Sequence, residues 1–286
     1  MALNIFEELD LTSSGDNVDE GFLKCQNNWS DMDTELHNAR DGEASLLAKI
    51  DTLAPTIGHF HRSKFTYVDG DTITVGGGSY DVNGTLAMIT SALTTTAHGV
   101  TGADWAYLYI DYSSLPADNV LIQSDLIWAT TEPAWSHTKL GWYNGSDRCI
   151  FAVQVAVTTD AIIEFEQRLN FITGACTDIT INSTTALIAT FADTNAFEMP
   201  SFARVVKAIM RGEYGDGASF SIYWRPKGSS HAAGYFGVYS TAAGAVNLST
   251  LELVTDSTHV IQWRDPSNTT GTGSLFQLGW YLPEGM

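Results

Sequence analysis

Two histidines and two glutamates have the spacing that chemistry on a strand surface requires. His59 and His61 flank one phenylalanine, and Glu164 and Glu166 flank another. Residues two apart on an extended chain point to the same side, so each pair brings two like groups together. Paired imidazoles suit a transition metal. We therefore predict His59 and His61 as a metal site, with ordinary polar linker residues as the alternative interpretation.

Glycoside hydrolases use a pair of carboxyl groups as their catalytic residues, but the chain lacks the motifs of the common catalytic sites. It contains no Gly-x-Ser-x-Gly, no His-Glu-x-x-His, no phosphate-binding glycine-rich loop with its lysine and no EF-hand loop. Acidic pairs on exposed strands are far commoner than active sites, so we interpret Glu164 and Glu166 as surface residues. The prediction is a protein that is not an enzyme, with no catalytic residue and no cofactor.

Aromatic residues are the remaining candidates for ligand binding. The chain has 8 tryptophans and 11 tyrosines, and exposed aromatic rings stack on the apolar faces of sugars. Trp135, Trp142 and Tyr143 lie beside sequence turns, and we predict them as glycan-binding residues. Burial in a β-sheet core is the alternative interpretation, because most aromatic side chains are buried.

The charge balance excludes one class of partner. The chain has 14 basic and 33 acidic residues and a formal net charge of −19. Such a surface repels phosphate backbones, and the basic residues form no stripe along the sequence, so we predict no binding to nucleic acid.

Neither a membrane segment nor a disulfide framework is expected. No apolar stretch approaches the roughly 18 residues that span a bilayer, and the amino terminus does not resemble a signal peptide. Cys25, Cys149 and Cys176 are odd in number and far apart, which argues against paired cysteines. We therefore expect no membrane insertion and synthesis in the cytoplasm.

The elements that must position these residues are of two kinds, and the first is helical. Between Val18 and Leu53 apolar residues recur at alternating steps of four and three, broken only at Glu43. A mean step of about 3.5 residues is typical of a coiled coil, and bulky Phe22 and Trp29 favour three chains. A single amphipathic helix lying on its own β domain is the alternative. The predicted oligomerisation residues are Val18, Phe22, Cys25, Trp29, Met32, Leu36, Ala39, Leu46, Ile50 and Leu53.

The second kind of element is the β-strand. From about residue 56 onward, short alternating runs are separated by turn signals such as Asp69-Gly70-Asp71, Asn83-Gly84 and Asn144-Gly145, which predict hairpins. The fold class is therefore mainly β, with an N-terminal coiled-coil helix followed by two β-rich domains. The predicted boundaries are 1–15 for a leader that serves as an attachment segment, 16–55 for the coiled-coil stalk, 56–172 for a β-rich middle domain and 173–286 for a C-terminal β-sandwich domain.

Eight strand-like runs in the last segment predict a sandwich of jelly-roll type. They are Ile179–Ile181, Leu187–Phe191, Arg204–Met210, Phe220–Trp224, Tyr235–Tyr239, Leu251–Val254, Val260–Trp263 and Leu275–Leu282.

Two segments resemble those of bacteriophage tail fibres and related virion proteins. The first is the run from Asn38 to Asp51, which contains Ala-Arg-Asp-Gly-Glu-Ala-Ser-Leu. The second is the run from Trp128 to Ile150, with its Trp-Ala-Thr-Thr-Glu-Pro-Ala-Trp stretch. Together they cover roughly an eighth of the chain. The resemblance implies a virion component, trimeric in form.

The resulting expectation is a bacteriophage virion structural protein, assembled in the host bacterial cytoplasm and located in the virion. It would be a homotrimeric fibre-type component that attaches to other virion proteins through its N-terminal region and presents β domains to host cell-surface glycan. A capsid-decorating or neck and collar fibre without receptor binding is one alternative. A tailspike-like glycan depolymerase is the other.

Overall fold

Strands dominate the part of the chain that the structure describes. The structure is a computed structural model, and it describes residues 59–95, 98–101, 105–174, 180–184, 187–213, 220–240, 245–266 and 272–286. All of them belong to one compact unit, Thr56–Met286. Within these ranges the helical segments are two single 3-10 turns, Tyr112–Ser114 and Gln123–Asp125.

The predicted fold class is wrong in its helical part. Strands make up 54% of the described residues, which form no helix of seven or more residues, so the described part of the chain is β-rich without a coiled-coil helix. Residues 1–15 and 16–55, where the leader and the stalk are predicted, lie outside the described residues, as do all ten predicted oligomerisation residues. A heptad pattern records the spacing of apolar side chains only; whether a helix forms also depends on the groups that cover those side chains.

The first half of the described chain forms three antiparallel sheets with strand orders β1-β4-β5, β2-β3-β6 and β8-β7-β11-β10-β9. Their bounds are β1 His59–His61, β2 Phe65–Asp69, β3 Thr72–Val75, β4 Gly78–Val82, β5 Thr85–Ile89, β6 Leu93–Thr95, β7 Trp105–Ile110, β8 Leu126–Ala129, β9 Ala134–Ser136, β10 Gly141–Asn144 and β11 Asp147–Gln154.

The three predicted hairpin turns are confirmed. Asp69-Gly70-Asp71 joins β2 to β3, Asn83-Gly84 joins β4 to β5, and Asn144-Gly145 lies between β10 and β11. Asn83 and Gly84 have φ values of 54° and 87°, the left-handed backbone that a two-residue hairpin turn with a matching twist requires. The turn residues alone therefore locate three strand pairs.

The second half forms two further sheets, with strand orders β12-β13-β21-β16-β19 (β14 also pairs with β21) and β15-β20-β17-β18. Their bounds are β12 Glu166–Arg168, β13 Phe171–Thr173, β14 Thr180–Thr184, β15 Ala192–Asp193, β16 Val205–Glu213, β17 Phe220–Pro226, β18 Tyr235–Ser240, β19 Val246–Val254, β20 Ile261–Arg264 and β21 Thr272–Tyr281.

These two sheets pack face to face in a sandwich-like arrangement, and glycines mark the closest approach. A Cβ added to Gly212 on β16 would lie 2.5 Å from the Phe220 ring on the opposing sheet. A Cβ on Gly237 of β18 would likewise collide with the sulfur of Met210 on β16. Side chains at these positions would push the sheets apart, so glycine allows the two sheets to pack closely.

Most of the predicted strands of the last segment overlap observed strands, and one does not. Residues 187–191 form no strand, so that prediction is wrong. Leu187 is buried, whereas Ile188 is exposed. The strand that pairs with the edge of β20 is β15, which is only two residues long. The predicted boundary between residues 172 and 173 falls within β13, and the division into two domains stays a prediction.

The carboxy-terminal segment packs on the first half. Arg148, fully buried on β11, donates from Nη2 to the backbone oxygen of Gly285 at 2.8 Å. Gln167 accepts a hydrogen bond from the Phe65 backbone N–H at 2.6 Å. These bonds cross from one half to the other, and one continuous hydrophobic core runs beneath all five sheets.

Candidate functional site

The three predicted glycan-binding residues lie on the β9–β10 hairpin. Trp135 and Trp142 are directly paired across it, and their rings pack edge to face with centroids 5.6 Å apart. Both are half-buried. Trp135 Nε1 donates to His137 Nδ1 at 3.1 Å, and Trp142 Nε1 donates to the Glu284 backbone oxygen at 3.1 Å. Part of each ring is accessible, and their role in glycan binding stays a prediction.

Tyr143 is a structural residue in this fold. It is 4% exposed, and its hydroxyl donates to the Asp81 backbone oxygen at 2.9 Å. Arg148 donates to the same hydroxyl at 3.2 Å and to the Asp81 oxygen at 2.6 Å. Burial raises the pKa of Tyr143. The ring and its hydroxyl are therefore occupied in holding a buried arginine, and the surface that remains for a ligand is small.

The two histidines of the predicted metal site lie on β1. Their backbones pair with β4, His59 opposite Tyr80 and His61 opposite Ser79, with an irregularity between them. Their side chains lie outside the described residues, so the metal site stays a prediction. Elsewhere in the described chain no group of three or more histidine, cysteine, aspartate or glutamate residues is arranged to hold a metal ion.

The acidic pair does not have the environment of a catalytic pair. Glu166 forms an exposed, bidentate ion pair with Arg168, with oxygen to nitrogen distances of 2.9 and 3.1 Å. The hydrogen bond from Arg168 lowers the pKa of the Glu166 carboxyl, which is the opposite of what a general acid needs. Glu164 is exposed. The structure thus places this pair on the surface.

A surface that the sequence does not single out is the outer face of the sheet β15-β20-β17-β18. Directly opposed residues on paired strands share a face. The pairs Tyr223 with Arg264 and Tyr223 with Phe236 therefore bring these three side chains to one side. The alternate residues of β17, Ile222 and Trp224, point into the core. Six residues define what we call the outer face: Phe191, Tyr223, Arg225, Phe236, Tyr239 and Arg264.

The aromatic residues of the outer face are accessible. Phe236 is 54% exposed and Tyr239 is 47% exposed, and an irregularity in the pairing of β17 with β18 between them brings both to the same side of the strand. Tyr223 packs edge to face against Phe236, with ring centroids 5.8 Å apart. Large exposed rings on a sheet cost solvation free energy, and contiguous patches of this kind mark binding surfaces. The face has the exposed rings that stacking of sugar units requires.

Two arginines converge beside these rings. The guanidinium carbon of Arg225 lies 4.0 Å from the centroid of Phe191, and that of Arg264 lies 4.5 Å from the same centroid. Arg225 donates from Nε to Gln262 at 2.9 Å, and Arg264 donates from Nη2 to the Ala233 oxygen at 3.0 Å. Because each guanidinium has five N–H groups, both keep donors for a ligand. The ring and these bonds hold the two cations in fixed positions.

The net charge of this region is opposite to that of the whole chain. Lys227 lies at the end of the same sheet and pairs with Asp193 at 2.7 Å. The hydrogen bond with Lys227 lowers the pKa of Asp193, and the same bond raises the pKa of Lys227. Two arginines therefore remain without a carboxylate partner among these residues, in a chain of net charge −19. An anionic group is attracted here and repelled over most of the surface.

One signal in the sequence could have indicated part of this face. Tyr223 and Arg225 alternate with the core residues Ile222 and Trp224 along β17, and a period of two assigns them to the outer side. The convergence of Arg225, Arg264 and Phe191 comes from three separate segments, and no spacing in the sequence indicates it.

A larger groove, of about 1020 Å³, lies beside β4 and β5. Its most fixed charged residue, Arg62, is bound to the backbone oxygens of Pro283 and Met286 at 2.7 and 2.5 Å. These bonds make Arg62 a structural clamp, and we assign no ligand to the groove. Among the described residues, no helix is both long and apolar enough to span a bilayer.

Comparisons with known proteins give this chain no family. No protein-family model matches the sequence, and no curated protein matches it. Among solved structures, the chain aligns with one from "Structure of infectious bursal disease virus Gx strain" at 13% identity. That alignment covers 81% of this chain and 75% of the viral chain, with a TM-score of 0.12. A score this low carries no argument about fold or function.

Proposed function

We propose that this chain is a bacteriophage virion structural protein, a fibre-type component that binds glycans on the host cell surface through the outer face. The observation that carries the binding role is the combination of exposed rings with two fixed arginines on one sheet. The virion role rests on the resemblance of two sequence segments to phage tail fibres. Together they describe a protein whose β-rich part is an adhesive surface.

The chemistry of the outer face suits an acidic glycan. Exposed rings of Phe236 and Tyr239 stack on the apolar faces of sugar units. Arg225 and Arg264 donate to hydroxyl oxygens and form charge-assisted hydrogen bonds with carboxylate or phosphate groups. The acidic remainder of the chain disfavours such polymers elsewhere, so charge directs them to this face.

The proposal includes a homotrimer and attachment to other virion proteins, both drawn from the sequence patterns. Single glycan sites bind weakly, and three copies of one face on a shared particle raise the effective concentration of each. Avidity of this kind converts weak contacts into stable attachment without a deep pocket.

An array of purified bacterial surface polysaccharides, acidic and neutral, tests the binding role. The full-length chain is expected to bind acidic polysaccharides, and the double variant Phe236→Ser with Tyr239→Ser is expected to lose at least about tenfold in affinity, since stacking contributes on the order of 1 kcal/mol per ring. Val254→Ser is the matched control, because Val254 is 48% exposed on the other sheet of the sandwich. Failure to bind any polysaccharide, or equal binding by the double variant, would refute the role.

A charge-specific variant separates stacking from electrostatics. Arg225→Gln keeps polarity but removes the charge, and it is expected to weaken binding of acidic polysaccharides about tenfold while leaving weak binding of neutral ones unchanged. Arg168→Gln is the control, because Arg168 is an exposed arginine paired with Glu166 away from this sheet. Equal effects of the two substitutions would show that net charge, rather than the outer face, attracts the polymer.

A further inference from the structure

A second candidate site is a cleft of about 340 Å³ between the end of β11 and two loops of the second half. Trp105 and Gln154 are directly paired on β7 and β11, so their side chains share one face. Glu132 comes from the loop before β9, Glu198 from the segment between β15 and β16, and His259 from the turn before β20. We call this cavity, lined by these five residues and their apolar neighbours, the Trp105 cleft.

The loops that line the cleft are held by hydrogen bonds, two of them to a buried glutamine. Gln277, 1% exposed on β21, accepts from the Glu198 backbone N–H at 2.9 Å and donates to the Glu198 backbone oxygen at 2.5 Å. The Phe197 backbone N–H donates to the His259 oxygen at 3.0 Å. A cavity whose walls are held in this way is formed before a ligand arrives, which lowers the entropic cost of binding.

Gln154 carries the strongest indication of a ligand. Its side chain is 5% exposed, and its Nε2 donates to Glu198 Oε2 at 3.2 Å. The other end of the amide, Oε1, is buried without a hydrogen-bond partner among the described residues. A buried acceptor without a donor costs about 1 to 3 kcal/mol, and such groups are rare in folded proteins. A ligand O–H or N–H in the cleft would satisfy this oxygen.

The charge of the cleft restricts the ligand. Glu132 and Glu198 contribute carboxylates, and no lysine or arginine is among the described residues that line it. The guanidinium of Arg204 lies behind His259, 3.3 Å from Nε2. Burial and then the charge of Arg204 lower the pKa of His259, which keeps the imidazole neutral at pH 7. The cleft therefore offers acceptors, and it repels an acidic ligand.

The rest of the wall is apolar. Trp105 is half-buried and packs edge to face on Trp280, with centroids 6.0 Å apart. Val155 and Met199 line the cavity beside it. Small ligands bind in largely apolar cavities of about 300 to 1,000 Å³ with a few fixed polar groups, so this cleft is at the lower end of the useful range. Its size suits one ring rather than a polymer.

We propose that the Trp105 cleft binds one sugar ring that carries no acidic group, with an apolar face against Trp105 and hydroxyl groups donating to Gln154 Oε1 and to the carboxylates of Glu132 and Glu198. This site is separate from the outer face and does not depend on the function proposed for it. A ring with many hydroxyl donors fits an acceptor-rich wall, whereas a uronic acid would bring a further carboxylate to the two existing ones.

Saturation-transfer NMR with the full-length chain tests this proposal. The probes are the methyl glycosides of glucose, galactose, mannose and N-acetylglucosamine, with glucuronate as the acidic comparison, each at about 10 mM because single sugars bind weakly. At least one neutral glycoside is expected to give a signal, and glucuronate is expected to bind at least about tenfold more weakly. Absence of signal from all four neutral probes would show that only water occupies the cleft, and the proposal would be wrong.

Two variants locate the signal. Glu132→Gln changes an exposed residue and is expected to weaken binding of the neutral sugar about threefold, since one charge-assisted hydrogen bond is lost. Gln154→Met removes the buried acceptor at similar volume and is expected to weaken it at least about fivefold, with folding checked by amide NMR dispersion. The outer-face variant Phe236→Ser should leave the signal unchanged. A signal that survives Gln154→Met in the folded protein and is lost in Phe236→Ser belongs to the outer face and would overturn the assignment.

Discussion

The outer face and the Trp105 cleft combine the same ingredients, aromatic rings and hydrogen-bonding groups, with opposite charge. The outer face holds Arg225 and Arg264 around one ring, whereas the cleft holds Glu132 and Glu198 beside Trp105. The face lies on a sheet, where Phe236 and Tyr239 are exposed and the other four side chains are half-buried. The cleft is concave, and its walls are also part of the core. One acidic β-rich chain thereby offers two surfaces that select ligands of different charge.

The two regions also differ in the elements that support them. Five of the six outer-face residues lie on hydrogen-bonded strands, so the sheet would keep its shape if they changed, whereas Phe191 lies just before β15. Residues of the cleft lie mostly on loops that depend on single buried contacts such as Gln277 with Glu198. Substitutions on the outer face should therefore weaken binding with little loss of stability. Substitutions in the contacts that hold the cleft should lower the stability of the fold.

The largest difference should come from two glutamines of similar bonding. Gln277→Leu removes two hydrogen bonds from the half-buried backbone N–H and C=O of Glu198, and we expect the free energy of unfolding to fall by about 3 kcal/mol. Gln262→Leu removes two bonds at the half-exposed outer face, to Arg225 and Asp193, and we expect a loss under about 1 kcal/mol. Urea unfolding followed by tryptophan fluorescence measures both. Equal losses would show that the cleft loops are not held by Gln277.

Ionic strength should separate the two sites next. Raising sodium chloride from about 50 to 500 mM is expected to weaken binding of an acidic oligosaccharide, such as an oligomannuronate, by about tenfold, because salt screens its attraction to the outer-face arginines. Binding of a neutral methyl glycoside to the cleft is expected to change less than about twofold over the same range. Titration calorimetry provides both series, and a strong salt response of the neutral sugar would contradict the assignment of charges.

As the pH falls, we expect His259 in the cleft to reduce the stability of the fold before Asp193, beside the outer face, does so. The pKa of His259 is lowered in the folded chain by burial and by Arg204. As the pH falls below the usual value of 6.5, the unfolded chain takes up a proton that the folded chain resists, so stability is lost. The lowered pKa of Asp193 on the outer face costs stability only in more acid solution, below the usual carboxyl value of 3.8.

Thermal unfolding between about pH 7 and pH 5 measures the effect of His259. The wild-type chain should lose stability over this interval, and His259→Gln should lose less, because the substituted side chain has no proton to gain. The same slope in both proteins would assign the pH dependence to other groups.

The smallest change in stability is expected for the exposed rings. Phe236→Ser and Tyr239→Ser should each alter the free energy of unfolding by no more than about 0.5 kcal/mol, since neither ring is a core residue. Urea unfolding checks this against the binding loss expected for the same variants. A loss above about 2 kcal/mol would mean that the rings pack against protein, and the outer face would not be a free surface.

Much of the β architecture can be predicted from local signals. Asn83-Gly84 indicates a hairpin because few other dipeptides adopt two successive left-handed conformations. The run Phe220–Trp224 is predicted from its apolar residues and lies within β17. The coiled-coil fold class is wrong, because periodicity describes where apolar groups fall along the chain and leaves open which partner covers them. The strand prediction for Leu187–Phe191 is wrong for a similar reason: Leu187 packs into the core from a loop, whereas Ile188 is exposed.

The candidate sites are harder to predict than the strands. Tyr143 lies next to a turn in the sequence, which suggests accessibility, yet it is bonded to Arg148 and Asp81 in the interior. Phe236 and Tyr239 carry rings of the same kind as Tyr143, and they are accessible because they lie on the outer side of their sheet. A ring's distance from a turn along the chain therefore says little about its exposure across a sheet.

The β-rich character, the acidic surface and the hairpin turns are all readable in the amino-acid sequence, because composition and short-range backbone preferences act within a few residues. Which charges meet depends on tertiary structure. Phe191, Arg225 and Arg264 come from three segments, and Trp105, Glu132, Gln154, Glu198 and His259 come from five. Their convergence follows from strand pairing and sheet packing over long stretches of chain, where the free energy depends on the whole core rather than on any local pattern.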